Sequence, residues 1–145
     1  MAQTNRKAVF PLMPTILIVE DHDLLRSSLR DWLQNFYPSF QILEAVNGEE
    51  SVAIAYSQEP AVILMDIGLP GIDGLEATRL IKQHLPEAQV VVLLVEETRE
   101  STADACNAGA DACMAKSGAG TRLIGILDRL LFHKMALHLG TGTKS

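Results

Sequence analysis

Three acidic residues and one lysine stand where they could do chemistry together in this 145-residue chain. Each of them, Glu20, Asp21, Asp66 and Lys116, stands at the end of a short apolar run. Converging carboxylates repel one another and stay ionised together only around a cation, and oxygen ligands without Cys or His suit Mg²⁺ rather than zinc. Carboxylates, Mg²⁺ and a lysine together describe a phosphoryl site, in which one carboxylate can become an aspartyl phosphate.

Alternating strands and helices must position these four side chains. Apolar runs predict five strands, at Thr15–Glu20, Gln41–Val46, Ala61–Asp66, Val90–Val95 and Ala112–Ala115. Helical spacing, caps, glycines and prolines predict five helices, after Asp21 and Asp23 up to Pro38, then at Glu49–Ser57, Gly74–Leu85, Thr98–Ala108 and Thr121–Leu139. This alternation predicts an α/β fold, a doubly wound five-stranded parallel sheet with helices on both faces. Ligands of such folds bind at the carboxyl ends of the strands.

Composition excludes several classes of protein. A length of 145 residues with 48% hydrophobic and 21% charged residues predicts one soluble domain, at residues 15–139, between tails at 1–14 and 140–145. The net charge of −6 argues against direct nucleic-acid binding. No apolar stretch reaches the ~18 residues of a membrane-spanning helix. Cys106 and Cys113 form no C-x-x-C pair, which favours a reducing, cytoplasmic location.

Three runs resemble the receiver domain of two-component response regulators. They are Ile16–Asp23 (ILIVEDHD), Leu64–Glu76 (LMDIGLPGIDGLE) and Gly109–Lys116 (GADACMAK). The resemblance covers residues 15–133, and it is closest to the receivers that precede a LuxR-type helix-turn-helix. It implies a flavodoxin-like receiver fold and a signalling phosphoacceptor rather than an enzyme acting on an outside substrate.

The resemblance also implies a role for each site residue. Asp66 is similar to the phosphoacceptor, Glu20 and Asp21 to the acidic pair that holds Mg²⁺, and the backbone carbonyl of Gly68 to a further metal ligand. Lys116 is similar to the lysine that contacts the phosphoryl group. The implied partners are a histidine kinase or phosphotransfer protein, which supplies the phosphoryl group, and a downstream partner protein.

Two positions depart from the receiver pattern. Glu96 stands where the family has a Ser or Thr hydroxyl, and Cys113 stands where it usually has a switching Tyr or Phe. A carboxylate about 4 Å from a phosphoryl charge costs on the order of 4 kcal/mol at an effective dielectric constant of 20. The alternative function is therefore a pseudo-receiver, an interaction module that works without phosphorylation. Glu96 could also pair with Lys116 and occupy the phosphoryl site from within the protein.

Further expectations concern the end of the chain and a third function. The chain ends about a dozen residues after the resemblance. We therefore expect no output domain, so that either the receiver stands alone or its output resides in a partner. The last helix carries Leu123, Ile124, Leu127, Leu130, Leu131 and Met135, and its apolar end is a candidate homodimer surface. A hydrolase acting on an outside phosphate ester is disfavoured, because Gly68 stands where such a site would need a second acid.

Overall fold

Strands and helices alternate along the computed structural model, which describes residues 14–118 and 120–139 without the side chains of residues 118, 121 and 133–139. The strands are β1 (Thr15–Val19), β2 (Gln41–Ala45), β3 (Val62–Asp66), β4 (Gln89–Leu94) and β5 (Ala112–Ala115). The helices are α1 (Asp23–Phe36), α2 (Gly48–Gln58), α3 (Gly74–His84), α4 (Arg99–Ala108) and α5 (Gly120–Leu139). A short 3-10 helix, Lys116–Gly118, joins β5 to the chain before α5.

The five strands form one parallel sheet in the order β2-β1-β3-β4-β5. This confirms the predicted doubly wound architecture. The chain moves outward from β1 to β2 and then returns to place β3 on the other side of β1, so the strand order reverses between β1 and β3. Ligands of open α/β sheets bind at such a reversal, beyond the carboxyl ends of the strands.

Helices cover both faces of the sheet, and alternate residues of each strand feed two separate cores. Ile16, Ile18 and Leu64 pack in the core that α1 and α5 cover. Leu17 and Ile63 pack in the core that α2, α3 and α4 cover. All five residues of β3 are buried, as expected of a central strand without polar alternation.

Helix α1 has an apolar stripe, with residues spaced by three and four, that is only partly buried. Leu33 is fully buried, and Leu29 and Trp32 pack against the same core. Leu25 and Phe36, by contrast, are 40% and 50% exposed. Residues spaced by three and four cover a wider arc than one helix buries against a sheet, so the outermost members of the stripe face solvent. Phe36 still contacts Trp32 edge-to-face, at 5.2 Å between ring centroids.

Most of the predicted apolar stripe of helix α5 is buried in the domain's own core. Leu123, Leu127, Leu130 and Leu131 are buried there, so they are not available to a second copy of the chain. Phe132 is 75% exposed, and the side chain of Met135 lies outside the described residues. A homodimer through this helix therefore stays a prediction, confined to its last turns.

A hydrogen bond ties the end of α1 to α5. The Tyr37 hydroxyl donates to Asp128 Oδ1 at 2.6 Å. Burial, followed by this bond to a carboxylate, raises the pKa of the Tyr37 phenol.

The predicted tails and the compartment inferred from the cysteines stay predictions. The predicted tails lie outside the described residues, apart from Pro14. Cys106 and Cys113 are both free thiols. Among the helices of the described part of the chain, none combines the length and apolarity needed to cross a membrane.

Candidate metal and phosphoryl site

The sheet brings the four residues singled out in the sequence to one edge. Glu20 and Asp21 directly follow β1, Asp66 is the last residue of β3, and Lys116 directly follows β5. The predicted strands were one residue too long at Glu20, Val46 and Ala61, and β4 was predicted one residue late, but the site residues keep their places at the strand ends. Since parallel strands point the same way, their carboxyl ends converge beside the reversal between β1 and β3.

Lys116 is centred between two buried carboxylates. Its ammonium Nζ lies 3.1 Å from Asp66 Oδ1 and 3.2 Å from Glu20 Oε1. Glu20 is 2% exposed and Asp66 is 3% exposed. Burial lowers the pKa of the Lys116 ammonium, but the ion pairs with Asp66 and Glu20 raise it by more, and the net pKa lies above the ordinary value. Lys116 is therefore a fixed positive charge at neutral pH.

The acidic cluster fits a divalent cation. Carboxylate oxygens of Glu20, Asp21 and Asp66 lie within 4.8 Å of one another. Glu20 Oε1 is buried and accepts no hydrogen bond, although Lys116 stands beside it as an ion pair, so this oxygen keeps a free lone pair. Three carboxylates and one ammonium leave two negative charges, which one Mg²⁺ neutralises. Oxygen ligands at this spacing need only small movements to reach Mg–O distances of about 2.1 Å.

The two oxygens of Asp66 differ in their surroundings. Oδ1 accepts a hydrogen bond from the backbone N–H of Gly68 at 3.3 Å and faces Lys116 Nζ. The closest contact with Lys116 also falls on Oδ1, and among the described residues no hydrogen bond reaches Oδ2. One carboxylate oxygen of Asp66 is thus held by the protein while the other stays available.

The loop after β3, residues 67–73, is held by close backbone contacts. Gly74 N–H donates to the Ile67 carbonyl at 3.1 Å, and Ile72 N–H donates to Glu49 Oε2 at 3.2 Å. A Cβ at Gly74 would overlap the backbone carbonyl oxygen of Asp66, so only glycine lets α3 begin this close to the end of β3. The sequence indicated turn glycines here but not this contact.

We expect Gly74→Ala to destabilise the protein by about 2 kcal/mol, because a side chain forced against backbone shifts its surroundings. Gly68→Ala is the matched control, since a Cβ at Gly68 meets nothing within 4 Å and its backbone carbonyl would remain. Urea unfolding followed by circular dichroism measures both variants. Equal loss of stability in the two variants would contradict the close contact at Gly74.

Glu96 does not occupy the site. Its side chain is exposed, and the ion pairs of Lys116 are with Glu20 and Asp66, so the alternative pairing of Glu96 with Lys116 is wrong. The backbone carbonyl of Glu96 accepts a hydrogen bond from Ser101 Oγ at 2.8 Å. Thr98 caps α4, and its hydroxyl oxygen accepts a hydrogen bond from Ser101 N–H.

Cys113 replaces an aromatic ring with a small thiol. It is partly buried and packs against the core that α2, α3 and α4 cover.

An ion pair that the sequence did not reveal joins the loop after β4 to α5. The Arg122 guanidinium donates both to Glu97 Oε1 at 3.2 Å and to Glu97 Oε2 at 2.9 Å.

Arg26 is the other residue near the site that was missed from sequence. Its guanidinium donates to the backbone carbonyl of Glu20 at 2.8 Å. An arginine within an amphipathic helix has the pattern of a solvated face, and its spacing from Asp23 indicates only an ion pair along the helix. The contact with the acidic loop depends on the turn between β1 and α1, which no residue spacing encodes.

Comparisons with known proteins agree with this geometry. The family model for the response regulator receiver domain matches residues 16–128. Response regulator GacA of Pseudomonas viridiflava is 38% identical over 120 residues, covering 83% of this chain and 56% of GacA. The nitrate/nitrite response regulator protein NarL of Escherichia coli K12 is 31% identical over 124 residues, covering 85% of this chain and 57% of NarL. The chain therefore spans about half the length of these curated relatives.

A solved structure shares the fold. The two-component response regulator of the LuxR family from Aurantimonas sp. SI85-9A1 is 26% identical and superposes with a TM-score of 0.77. The match covers 83% of this chain and 86% of that one.

Proposed function

Because the chain belongs to the response regulator receiver domain family of two-component systems, we propose that it accepts a phosphoryl group on Asp66 with Mg²⁺ bound at Glu20, Asp21, Asp66 and the Gly68 carbonyl. The observation that carries this proposal is the buried Asp66 carboxylate with Lys116 Nζ at 3.1 Å and two further acids beside it. The proposed donor is a phosphohistidine of a kinase or phosphotransfer protein.

The side chains divide the work of transfer between them. Asp66 Oδ2, the oxygen that the protein leaves free, forms the bond to phosphorus while the bond from phosphorus to the histidine nitrogen breaks and its electron pair stays on that nitrogen. Lys116 pairs with an oxygen of the arriving phosphoryl group, because its ammonium already points at this carboxylate. Glu20, Asp21, Asp66 and the Gly68 carbonyl would hold Mg²⁺, whose positive charge would lower the repulsion between the carboxylates and the arriving phosphoryl group.

The experiment that tests this proposal is the intact mass of the chain after incubation with Mg²⁺ and acetyl phosphate. We expect a gain of one phosphoryl group that disappears when EDTA replaces Mg²⁺. Peptide mapping after borohydride reduction should locate the group at Asp66. An unchanged mass, from a protein that calorimetry shows to bind Mg²⁺, would count against phosphorylation and for the second candidate function.

The second candidate function is a pseudo-receiver that binds a partner without phosphorylation. Glu96 and Cys113 support it, because the side chains that usually link phosphorylation to a surface change are absent at both positions. Binding of a downstream partner would then be unchanged by Mg²⁺ and acetyl phosphate. A large rise in partner affinity on phosphorylation would remove this candidate.

Replacing Glu96 with Thr measures what the carboxylate costs. Because the side chain is exposed, its repulsion of a phosphoryl charge is nearer the ~1 kcal/mol expected in water at 4 Å than the ~4 kcal/mol of a drier site. With the added hydroxyl donor, we expect the phosphorylated form of Glu96→Thr to decay about tenfold more slowly, where 1.4 kcal/mol corresponds to a factor of ten.

Decay is followed by intact mass after the phosphodonor is removed. Glu100→Thr is the matched control, since it makes the same substitution at an exposed glutamate in the first turn of α4 and should change the decay less than twofold. Equal decay in the wild type and Glu96→Thr would show that the carboxylate does not act on the phosphoryl group.

A further inference from the structure

Arg26 joins three parts of the molecule beside the acidic edge. Its guanidinium donates through Nη1 to the Glu20 carbonyl at 2.8 Å, through Nη2 to Asp23 Oδ1 at 2.9 Å, and through Nε to Glu44 Oε1 at 3.0 Å. The side chain is only 14% exposed. These contacts use the planar fork of donors that distinguishes arginine from lysine.

The carbonyl that Arg26 binds belongs to the peptide joining Glu20 to Asp21. Glu20 N–H donates to the Ala45 carbonyl at 3.1 Å, which extends the pairing of β1 with β2 by one residue. Beyond that point, the chain turns away from the sheet toward α1. The bond from Arg26 therefore sets the plane of the peptide from which both acidic side chains of the β1 edge project.

Strand β2 in turn holds Arg26. Glu44 lies on β2, and its two carboxylate oxygens accept from Arg26 and from Arg30, the latter at 2.9 Å. Arg30 stands one turn farther along α1 and shares this partner. Among the described residues, Arg30 contacts Glu44 and Asp31, so it reaches the same network without touching the loop of residues 20–22.

We propose that Arg26 is a positioning residue for the metal site, which orients Glu20 and Asp21 through the peptide between them. This inference rests on the proposed function, because it concerns the same Mg²⁺ site. Residues that orient metal ligands typically change metal affinity by about 10- to 100-fold when replaced.

The charge of Arg26 and its hydrogen bonds predict changes of opposite sign. If Arg26 acted only as a positive charge near the carboxylates, its removal would strengthen binding of a cation. If it orients the carboxylates, its removal weakens binding, and Arg26→Lys weakens it as well, because an ammonium keeps the charge but not the fork. A purely structural role would lower the melting temperature and leave the affinity of the folded protein unchanged.

Isothermal titration of the full chain with MgCl₂ tests this inference. We expect Arg26→Gln and Arg26→Lys to bind Mg²⁺ about tenfold more weakly than the wild type. Arg30→Gln is the matched control and should stay within about twofold, since it loses the same partner, Glu44, without losing a contact to the acidic loop. Circular dichroism at the titration temperature confirms that each variant is folded, and Arg26→Lys provides the milder change should Arg26→Gln not fold.

The outcomes separate the two claims. Equal or tighter Mg²⁺ binding by the Arg26 variants, with a wild type that binds Mg²⁺, would overturn the positioning role and leave the proposed function intact. An equal loss in Arg30→Gln would also overturn it, because the effect would then belong to the whole charge network. A wild type without Mg²⁺ binding would remove the proposed metal site and this inference with it.

Discussion

Asp66→Asn is expected to abolish the gain of a phosphoryl group from acetyl phosphate. The substitution keeps the size of the side chain and places an amide nitrogen or a neutral carbonyl oxygen where the wild type has carboxylate oxygens. Neither atom is a competent nucleophile, so the bond to phosphorus does not form. Intact mass measures the result, and we expect no mass gain under conditions that fully modify the wild type.

The neighbouring acids are poorly placed to replace Asp66. Glu20 Oε2 accepts a hydrogen bond from the His22 N–H at 3.2 Å, and Glu20 Oε1 faces Lys116. Asp21 is exposed at the mouth of the site. Glu20 is as deeply buried as Asp66 and also faces Lys116, but its hydrogen bond and its ion pair fall on different oxygens, whereas those of Asp66 both fall on Oδ1 and leave Oδ2 for the phosphoryl group. This combination is the reason to expect complete rather than partial loss.

Asp73→Asn is the matched control for Asp66→Asn. Asp73 lies on the loop after β3 and caps α3 by accepting from Glu76 N–H at 2.9 Å. An asparagine keeps an acceptor oxygen for this cap, so the control should fold and be modified like the wild type. Persistent modification of Asp66→Asn, or equal loss in Asp73→Asn, would contradict the assignment of Asp66 as the phosphoacceptor.

The sheet and the site residues were predictable because they follow from patterns along the chain. Continuous apolar runs mark central parallel strands, and in a parallel sheet every carboxyl end lies on one edge. Glu20, Asp66 and Lys116 therefore had to converge once each was placed at a strand end, and the structure brings them within ion-pair distance. Shifts of one residue in strand boundaries did not disturb this, because the acids lie at or just past the ends.

Contacts that depend on loop geometry and long side chains were not predictable. The Arg122–Glu97 ion pair joins residues 25 positions apart, and the Arg26 bond to a backbone carbonyl needs the turn after β1 to be known. The direction of Glu96 is a similar case. Its position after β4 was evident, but whether a glutamate turns inward to a lysine or outward to solvent depends on packing, and here Lys116 is already engaged by buried carboxylates.

Glu96 and Cys113 depart from the receiver pattern near the loop after β4, whereas the acidic residues and Lys116 follow that pattern. The acids and Lys116 are assembled, whereas the loop after β4 is fixed by the Thr98 cap, by Ser101 and by the ion pair from Glu97 to α5. A phosphoryl group that arrives on Asp66 would therefore meet a loop with its own hydrogen bonds in place.

Lys116→Met should lower the free energy of unfolding by about 3 kcal/mol when Mg²⁺ is removed with EDTA. The variant leaves the buried carboxylates of Glu20 and Asp66 without their cation, and losing one partner of a buried pair typically costs about 3 to 5 kcal/mol. We take the lower end, because the Lys116 side chain is 30% exposed and solvent screens part of the interaction. Urea unfolding followed by circular dichroism gives the value.

Mg²⁺ should restore most of the stability of Lys116→Met, because a bound cation replaces the missing ammonium between the carboxylates. It should also stabilise this variant more than the wild type, where Lys116 competes for the same oxygens. Lys82→Met is the matched control. Lys82 pairs with Asp111 at 2.9 Å, away from the acidic cluster. The loss of stability in Lys82→Met should therefore be the same with and without Mg²⁺. Equal stability of wild type and Lys116→Met in EDTA would show that Lys116 does not stabilise the buried carboxylates. A Mg²⁺ effect of the same size in all three proteins would place the ion outside the acidic cluster.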